Sequence, residues 1–473
     1  MKQQSTSKGF AILSAANIIV KILSFIYLPF LLKILHSEGY GIYSVSYQVY
    51  IFIYVIANSG LPASISKIIA EFTALNRHKD ALNIFRLSRR VLFITGLVMS
   101  ILLYVLAGPV TSLMHYEKSY MAVLALAPSI LLTSVSSAYR GYFQGRSNMF
   151  PTAISQIFEQ LINTIFTLAF AFYFMKYGVE AACAGGAAAT TLAALVSLII
   201  LIILFKKSNE KAKLAALGNE GTPTLSRKRL LKRIINYSLP ITLCIGLQYA
   251  GNLVDLGNTK ARLLAAGFSD TKATVLYGYL AKFQQLSGVP LTLVTALTAV
   301  ILPAISRAVV LKEKDLIKRN FDYAFRLCFL ITVPSAVGLS ILSTPIYDLL
   351  RFQPGSYLMK YGSVIIVLMS VQMIQISILQ GAKRFNTATT NAILGILVKI
   401  IVNYILIANP AININGALLG SISGYMVSIS LNAYFIGKFL KIKQSLIKKF
   451  ARPLLSSITE MLKIGRASCR ERV

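Results

Sequence analysis

Apolar runs of about twenty residues recur along the whole chain, separated by short polar stretches. A run of that length crosses about 30 Å of hydrocarbon as a helix. The pattern predicts spans at residues 10–35, 44–66, 91–114, 119–139, 151–175 and 179–205. A second set follows at 236–259, 275–305, 323–345, 361–380, 387–408 and 414–437, making twelve, six per half. The first run is too long for a signal-peptide core and is interrupted by Lys21, so it is expected to be retained.

The halves resemble one another. Residues 140–163, RGYFQGRSNMFPTAISQIFEQLIN, hold a polar turn between two apolar runs. Residues 379–401, LQGAKRFNTATTNAILGILVKII, repeat its Gln-Gly turn, basic residue, Phe and Thr-Ala in the same order, 236 positions on from Gln144 to Gln380. LPASISK at 61–67 returns as LPAISR at 302–307, 241 positions on from Pro62 to Pro303. Two motifs repeating at nearly one interval predict a chain of two similar lobes. Residues 1–205 form the first and 236–443 the second, joined by a basic link at 206–235. Pro62 and Pro303 are expected to interrupt equivalent helices, with Pro290 a further break in the eighth span. Such breaks mark either the substrate path and its hinges or plain packing kinks.

Composition agrees with the spans. Apolar residues are 56% of the chain and charged residues 14%, against about 25% charged in soluble domains. The mean hydropathy is +0.67, so the chain is expected to be an integral membrane protein. A net charge of +32 would suggest nucleic acid in a soluble protein, but here Lys and Arg gather in alternate loops. Lys67, Arg77, Lys79, Arg86, Arg89 and Arg90 are expected in one, and the central link and the segment from Arg307 to Arg319 carry others. The positive-inside rule then places the N-terminus, the link and the end of the twelfth span in the cytoplasm. Lys260, Arg262 and Lys272 fit this poorly, because they fall on the outer side.

Little here suits catalysis. Cys183, Cys244 and Cys328 lie inside spans and read as small packing residues. His36, His78 and His115 are scattered, and no HExxH, CxxC or Gly-rich phosphate loop occurs. No cofactor or metal is implied. Tyr40, Tyr43, Tyr47, Tyr50 and Tyr54 recur at three- and four-residue steps, forming a stripe that either stacks on sugar rings or packs against protein and lipid.

Ionisable residues inside spans carry the functional signal, because each costs about 2.5–3.5 kcal/mol to insert. They are Lys21, Glu159, Asp255, Lys282 and Lys399. Cations outnumber carboxylates, which suits an anionic substrate such as a lipid-linked phosphate or pyrophosphate. Other readings stay open. In one, Glu159 locks two helices by pairing with a neighbouring Lys; in another, Lys399 serves as counter-ion to Glu159 or Asp255. Lys33, Lys260 and Arg262 are expected to snorkel to the interface.

Residues 464–473, IGRASCRERV, read as a translated sequencing adapter and are set aside from the fold. The native chain is expected to continue past Lys463, with residues 444–463 opening a thirteenth helix.

SEGYGIYS (37–44), GLPASISKIIAE (60–71), RGYFQGRSNMFPTAISQIFEQ (140–160) and LYGYL…VPLTLVTAL…ILPAISRA (276–308) resemble the SpoVB/MurJ-type polysaccharide transporters. These belong to the multidrug/oligosaccharidyl-lipid/polysaccharide (MOP) exporter superfamily. The resemblance covers residues 8–440. It implies an all-α, MATE/MurJ-like protein of two pseudo-symmetric six-helix bundles around a central cavity, with twelve helices in this chain against fourteen in the family. It implies a multi-pass protein of the cell membrane that flips an undecaprenyl-linked glycan, lipid II in MurJ members. Its partners would be that substrate, membrane lipids and wall-synthesis proteins, without nucleic acid. Lys21 falls where MurJ first helices carry an Arg, and Tyr27 stands where a second is expected. Lys282 lies about a turn from the eighth-helix Arg. Asp255 resembles a sodium-binding Asp, but its eleventh-helix companion is missing. Lys21 and Lys282 are thus expected to meet the pyrophosphate, while Glu159 and Asp255 hold the halves in register or take a coupling cation. Two rivals remain, a MATE-like exporter of small cations and a non-transporting scaffold of wall synthesis. The surplus of buried Lys argues against the first.

Overall fold

The structure is a computed structural model, and it describes residues 6–58, 60–75, 77–208, 226–352, 354–441 and 453. Most of the basic link, the expected thirteenth helix and the adapter-like tail therefore lie outside the described residues. The described elements are helices, with two short 3-10 turns. In chain order they are α1 (Thr6–Asn58), α2 (Leu61–Ala74), α3 (His78–Leu113), α4 (Tyr120–Gly145), α5 (Phe150–Phe174) and α6 (Val179–Lys207). Then come α7 (Arg227–Ala265), α8 (Asp270–Val310), α9 (Lys314–Ile341), α10 (Ser343–Leu349), α11 (Ser356–Gly362), α12 (Val364–Gly381), α13 (Phe385–Leu406) and α14 (Asn415–Leu440).

Each expected span coincides with a helix, but several boundaries differ, some of them for clear local reasons. The first two spans are limbs of α1, which bends where His36 takes φ 55° and ψ −173°, dihedrals no helix residue holds. The second limb ends at Asn58 rather than 66. The Gly60 N–H donates to Thr242 Oγ1 at 3.2 Å, and α2 begins afresh with Pro62 in its first turn, where a missing N–H costs nothing. Pro62 therefore starts a helix, whereas α8 runs unbroken through Pro290 and Pro303. The expectation of matched proline breaks is corrected. Lys79, Arg86, Arg89 and Arg90 also stand on α3, not in a loop.

The chain divides into two compact units, Met1–Leu253 and Val254–Val473, the division falling within α7. In the first unit α4 packs on α2, α3 and α6, and α5 packs on α6 and on α1. Its core joins Ile65, Ile69 and Phe72 of α2 to Phe85, Tyr142, Phe143 and Phe205. In the second unit α12 packs on α8, α9 and α14, and α13 packs on α14. There Ile301 and Ile305 of α8 meet Phe321, Phe325, Ile374 and Ile378.

One contact recurs in both units and explains the sequence repeat. A Cβ on Gly145 of α4 would come 2.7 Å from the Ser66 carbonyl oxygen and 2.8 Å from Ile69 Cβ on α2. A Cβ on Gly381 of α12 would come 2.9 Å from the Leu302 carbonyl oxygen and 3.0 Å from Ile305 Cβ on α8. Only a residue without a side chain lets these backbones touch. Ser66 to Leu302, Ile69 to Ile305 and Gly145 to Gly381 are all 236 positions apart. The structural register is thus 236 throughout, and Pro303 falls level with Lys67 rather than Pro62. The LPA similarity at 241 is offset from the fold by five residues.

Candidate functional site

The polar side chains of the first unit gather along the second limb of α1. The stripe puts Tyr43 against Tyr47, Tyr47 against Tyr50 and Tyr50 against Tyr54, with ring centroids 4.8, 6.0 and 5.8 Å apart. Tyr40, Tyr43 and Tyr50 are buried, so packing accounts for them, while Tyr47 and Tyr54 are half-buried. The Tyr43 hydroxyl donates to that of Tyr47 at 3.2 Å. Tyr47 in turn shares a short hydrogen bond with Thr190 of α6, whose hydroxyl donates to Asn163 Oδ1 of α5 at 3.1 Å. Tyr27, from the first limb, lies beside Tyr43, Tyr47 and Tyr40.

One end of this seam is ionic. Arg140 of α4 pairs with Glu159 of α5 at 2.5 Å. The same guanidinium reaches Ser197 Oγ of α6 at 2.9 Å and Ser155 Oγ of α5 at 3.3 Å. Tyr54 lies beside both members of the pair and Tyr50 beside Glu159. A planar donor fork suits this branched task in a way an ammonium does not. The partner of Glu159 is therefore an arginine on the preceding helix, not a lysine. Arg140 escaped the sequence reading because it falls one residue past the expected end of the fourth span. Its signal was present all the same, since two opposite charges stand on either side of the turn that joins α4 to α5.

Lys21 stands apart and is exposed. On α1 the exposed Ile18, Ile22, Ile26 and Phe30 form one stripe at helical spacing, the face such a helix offers to lipid. Lys21 instead shares its face with Leu28, Leu32 and Leu35, seven, eleven and fourteen positions on, all buried against the first unit. At Lys21 that packing no longer covers the helix, and Asn17, four positions back on the same face, is exposed too. No carboxylate pairs with it among the described residues.

The second unit ties its cations down. Lys282 of α8 is 1% exposed, donates to the Phe352 carbonyl oxygen at 2.8 Å and lies 5.2 Å from the Tyr279 ring centroid. Lys399 of α13 is half-buried, with its Cβ packed close to Gly424 of α14. The Asp255 side chain lies outside the described residues. Lys260 does not snorkel. It is 1% exposed, pairs with Asp270 at 2.7 Å and donates to Thr274 Oγ1 at 3.1 Å. Arg262 donates to the Tyr404 carbonyl oxygen at 3.0 Å and lies 4.0 Å over its ring. Two of the three charges that fit the positive-inside pattern poorly are therefore bound within the protein. The structure brings Tyr27 and Glu159 to one seam and leaves Lys21 apart from it.

A buried amide in this unit supplies a stability test. Gln375 of α12 is fully buried, and among the described residues neither its Nε2 nor its Oε1 has a hydrogen-bond partner. Replacing such a group by an apolar side chain of the same shape is neutral or stabilising. Gln375→Met is expected to raise the unfolding midpoint by an amount worth about 1 kcal/mol, read by thermal unfolding in detergent.

Helices long and apolar enough to cross a membrane, several of them carrying ionisable residues on protein-facing sides, define a multi-pass membrane protein. Solved structures give its class. An inward-facing MATE multidrug transporter of the MOP superfamily superposes with a TM-score of 0.75, at 16% identity, covering 90% of this chain and 96% of the other. The inward closed lipid II flippase MurJ superposes with a TM-score of 0.69, at 15% identity, covering 97% and 93%. The fold is that of a MATE/MurJ-type membrane transporter. The chain belongs to the polysaccharide biosynthesis protein family, whose profile matches residues 6–309. Stage V sporulation protein B of Bacillus subtilis is 28% identical over 95% of this chain and 87% of its own length. The lipid II flippase MurJ of the same organism is 25% identical over 89% and 80%.

Proposed function

We propose that this chain is a flippase that moves an undecaprenyl-pyrophosphate-linked precursor, lipid II or a polysaccharide unit, from the cytoplasmic to the outer leaflet by alternating access. The observation that carries this reading is Lys21, an exposed cation in an apolar helix, in register with its buried leucines, in a relative of MurJ. Its ammonium meets the pyrophosphate. Glu159 is already neutralised by Arg140, so the first unit offers an anion a cation and hydroxyls rather than a bare carboxylate. The N-terminus is cytoplasmic in this reading. An inside-negative potential then favours outward movement by about 2.3 kcal/mol per uncompensated negative charge per 100 mV.

The test is lipid II translocation in liposomes holding the full-length protein, under an imposed potential. Outward flipping is expected to accelerate with inside-negative potential. Lys21→Ala is expected to slow it about tenfold, since a hydrogen bond to a charged group contributes about 1.5–3 kcal/mol. Transport of another undecaprenyl-linked glycan alone would change the substrate and keep the mechanism. Efflux of a cationic dye without lipid transport would replace this reading by the small-molecule exporter, and inactivity on all of them by the scaffold.

A further inference from the structure

A second basic site lies away from the tyrosine seam, between α3 and α4. A cavity of about 340 Å³ there is lined by Arg89, Arg90, Phe93, Ile94 and Val135. Its walls are apolar, and the two arginines line it beside Phe93, Ile94 and Val135. One turn further along α3 the two helices close on each other, a Cβ on Gly96 coming 2.7 Å from Ser134 Cβ. The cavity is thus a wedge that narrows away from the arginines.

Both arginines are available to a ligand anion. Arg89 donates to the Tyr139 hydroxyl at 3.3 Å and lies 5.9 Å from the Phe85 ring centroid. Arg90 is exposed. The nearby carboxylates are already used, Asp80 by Arg77 at 2.6 Å and Glu71 by Arg233. Among the described residues neither Arg89 nor Arg90 has a carboxylate partner. From Arg90 an exposed apolar stripe continues through Phe93, Ile94, Leu97, Ile101 and Tyr104. It is about 20 Å long at the helical rise, close to the depth of one leaflet. A phosphate at the arginines would lay an acyl chain along that stripe.

We infer that this wedge is a binding site for an anionic phospholipid of the phosphatidylglycerol type. The phosphate sits between Arg89 and Arg90, and one acyl chain enters the groove over Phe93, Ile94 and Val135. Basic pockets between membrane helices on the cytoplasmic side bind anionic headgroups in this way. An ordinary snorkelling arginine needs neither a paired neighbour nor a groove beneath it, and both are present here. The site does not rest on the flippase reading.

The experiment is native mass spectrometry of the full chain in detergent with added phosphatidylglycerol, with phosphatidylcholine as the comparison lipid. Thermal unfolding in the same mixtures gives a second readout. The wild-type protein is expected to retain phosphatidylglycerol in preference and to unfold at higher temperature with it. Arg90→Gln is expected to weaken that binding about fivefold, and Arg89→Gln with Arg90→Gln about thirtyfold. Phosphatidylcholine binding should not change. Arg90 is exposed and makes no hydrogen bond or ion pair among the described residues, so the single variant reads the site even where the double variant folds poorly. Equal retention of phosphatidylglycerol by all three proteins would reduce the site to annular lipid and overturn the proposal. Preference of the same arginines for undecaprenyl pyrophosphate would overturn it too, by making the wedge part of the transport path.

Discussion

Arg140→Ala is expected to destabilise the first unit by about 3 kcal/mol, seen as a lowered unfolding midpoint in detergent. The substitution removes the partner of Glu159 and leaves that carboxylate, 28% exposed beside α4, to face an apolar surround alone. Breaking a buried pair costs about 3–5 kcal/mol, because the orphaned charge keeps its desolvation penalty. Both members are partly accessible, 15% for Arg140 and 28% for Glu159, which sets the effect at the low end. The same change frees Ser155 and Ser197, so α4 loses a tie to α5 and to α6 together. Removing both charges, as Arg140→Met with Glu159→Met, should restore most of the loss. Arg140→Lys should recover only part, since an ammonium cannot reach a carboxylate and two hydroxyls at once. A single-variant cost below about 1 kcal/mol would mean the pair behaves as a surface ion pair.

The second large effect belongs to α13 and α14. Gly395 and Gly424 face one another so closely that a Cβ on Gly395 would lie 2.6 Å from the Gly424 carbonyl oxygen. A Cβ on Gly424 would lie 2.5 Å from that of Gly395. The obstructing atoms are backbone and cannot rotate away. Gly424 is followed back along α14 by Gly420 and Gly416 at four-residue steps, the small-residue pattern that lets membrane helices approach. Gly395→Ala and Gly424→Ala are each expected to cost about 1–3 kcal/mol as the helices are forced apart, and a leucine at either position more. Gly246→Ala is the comparison, because among the described residues its Cβ would meet only Ile56 Cγ1 at 3.9 Å. It should leave stability unchanged or raise it by up to about 1 kcal/mol through the higher helix propensity of alanine. Similar losses at all three glycines would show that the crossing does not set the cost, since helix propensity by itself favours alanine.

The candidate site was legible unevenly. Glu159 stood out as a charge in an apolar run, and one alternative already paired it with a neighbouring helix. Its true partner, 19 positions earlier, was nearly visible because a helical hairpin brings residues on either side of its turn together. Lys260 and Lys282 could not be judged in that way. Whether a lysine in a span faces a substrate or a carbonyl depends on what folds over it. The oxygen that takes Lys282 is 70 positions away, in a segment whose own sequence says nothing of it. The tyrosine stripe was clear as a period, but which of its members would be buried was not.

The sequence by itself determined that the chain crosses the membrane many times, that it has two similar halves, and which family it joins. Those properties follow from run length, composition and order, which act locally on the chain as it enters the bilayer. Tertiary structure alone decided the register of the repeat, the arginine that neutralises Glu159, and the confinement of Lys260 and Lys282. The reason is that burying a charge is settled by donors and acceptors from distant segments, and helix register by whichever backbone atoms can touch. Gly145 and Gly381 mark that contact at one interval, where the prolines had suggested another.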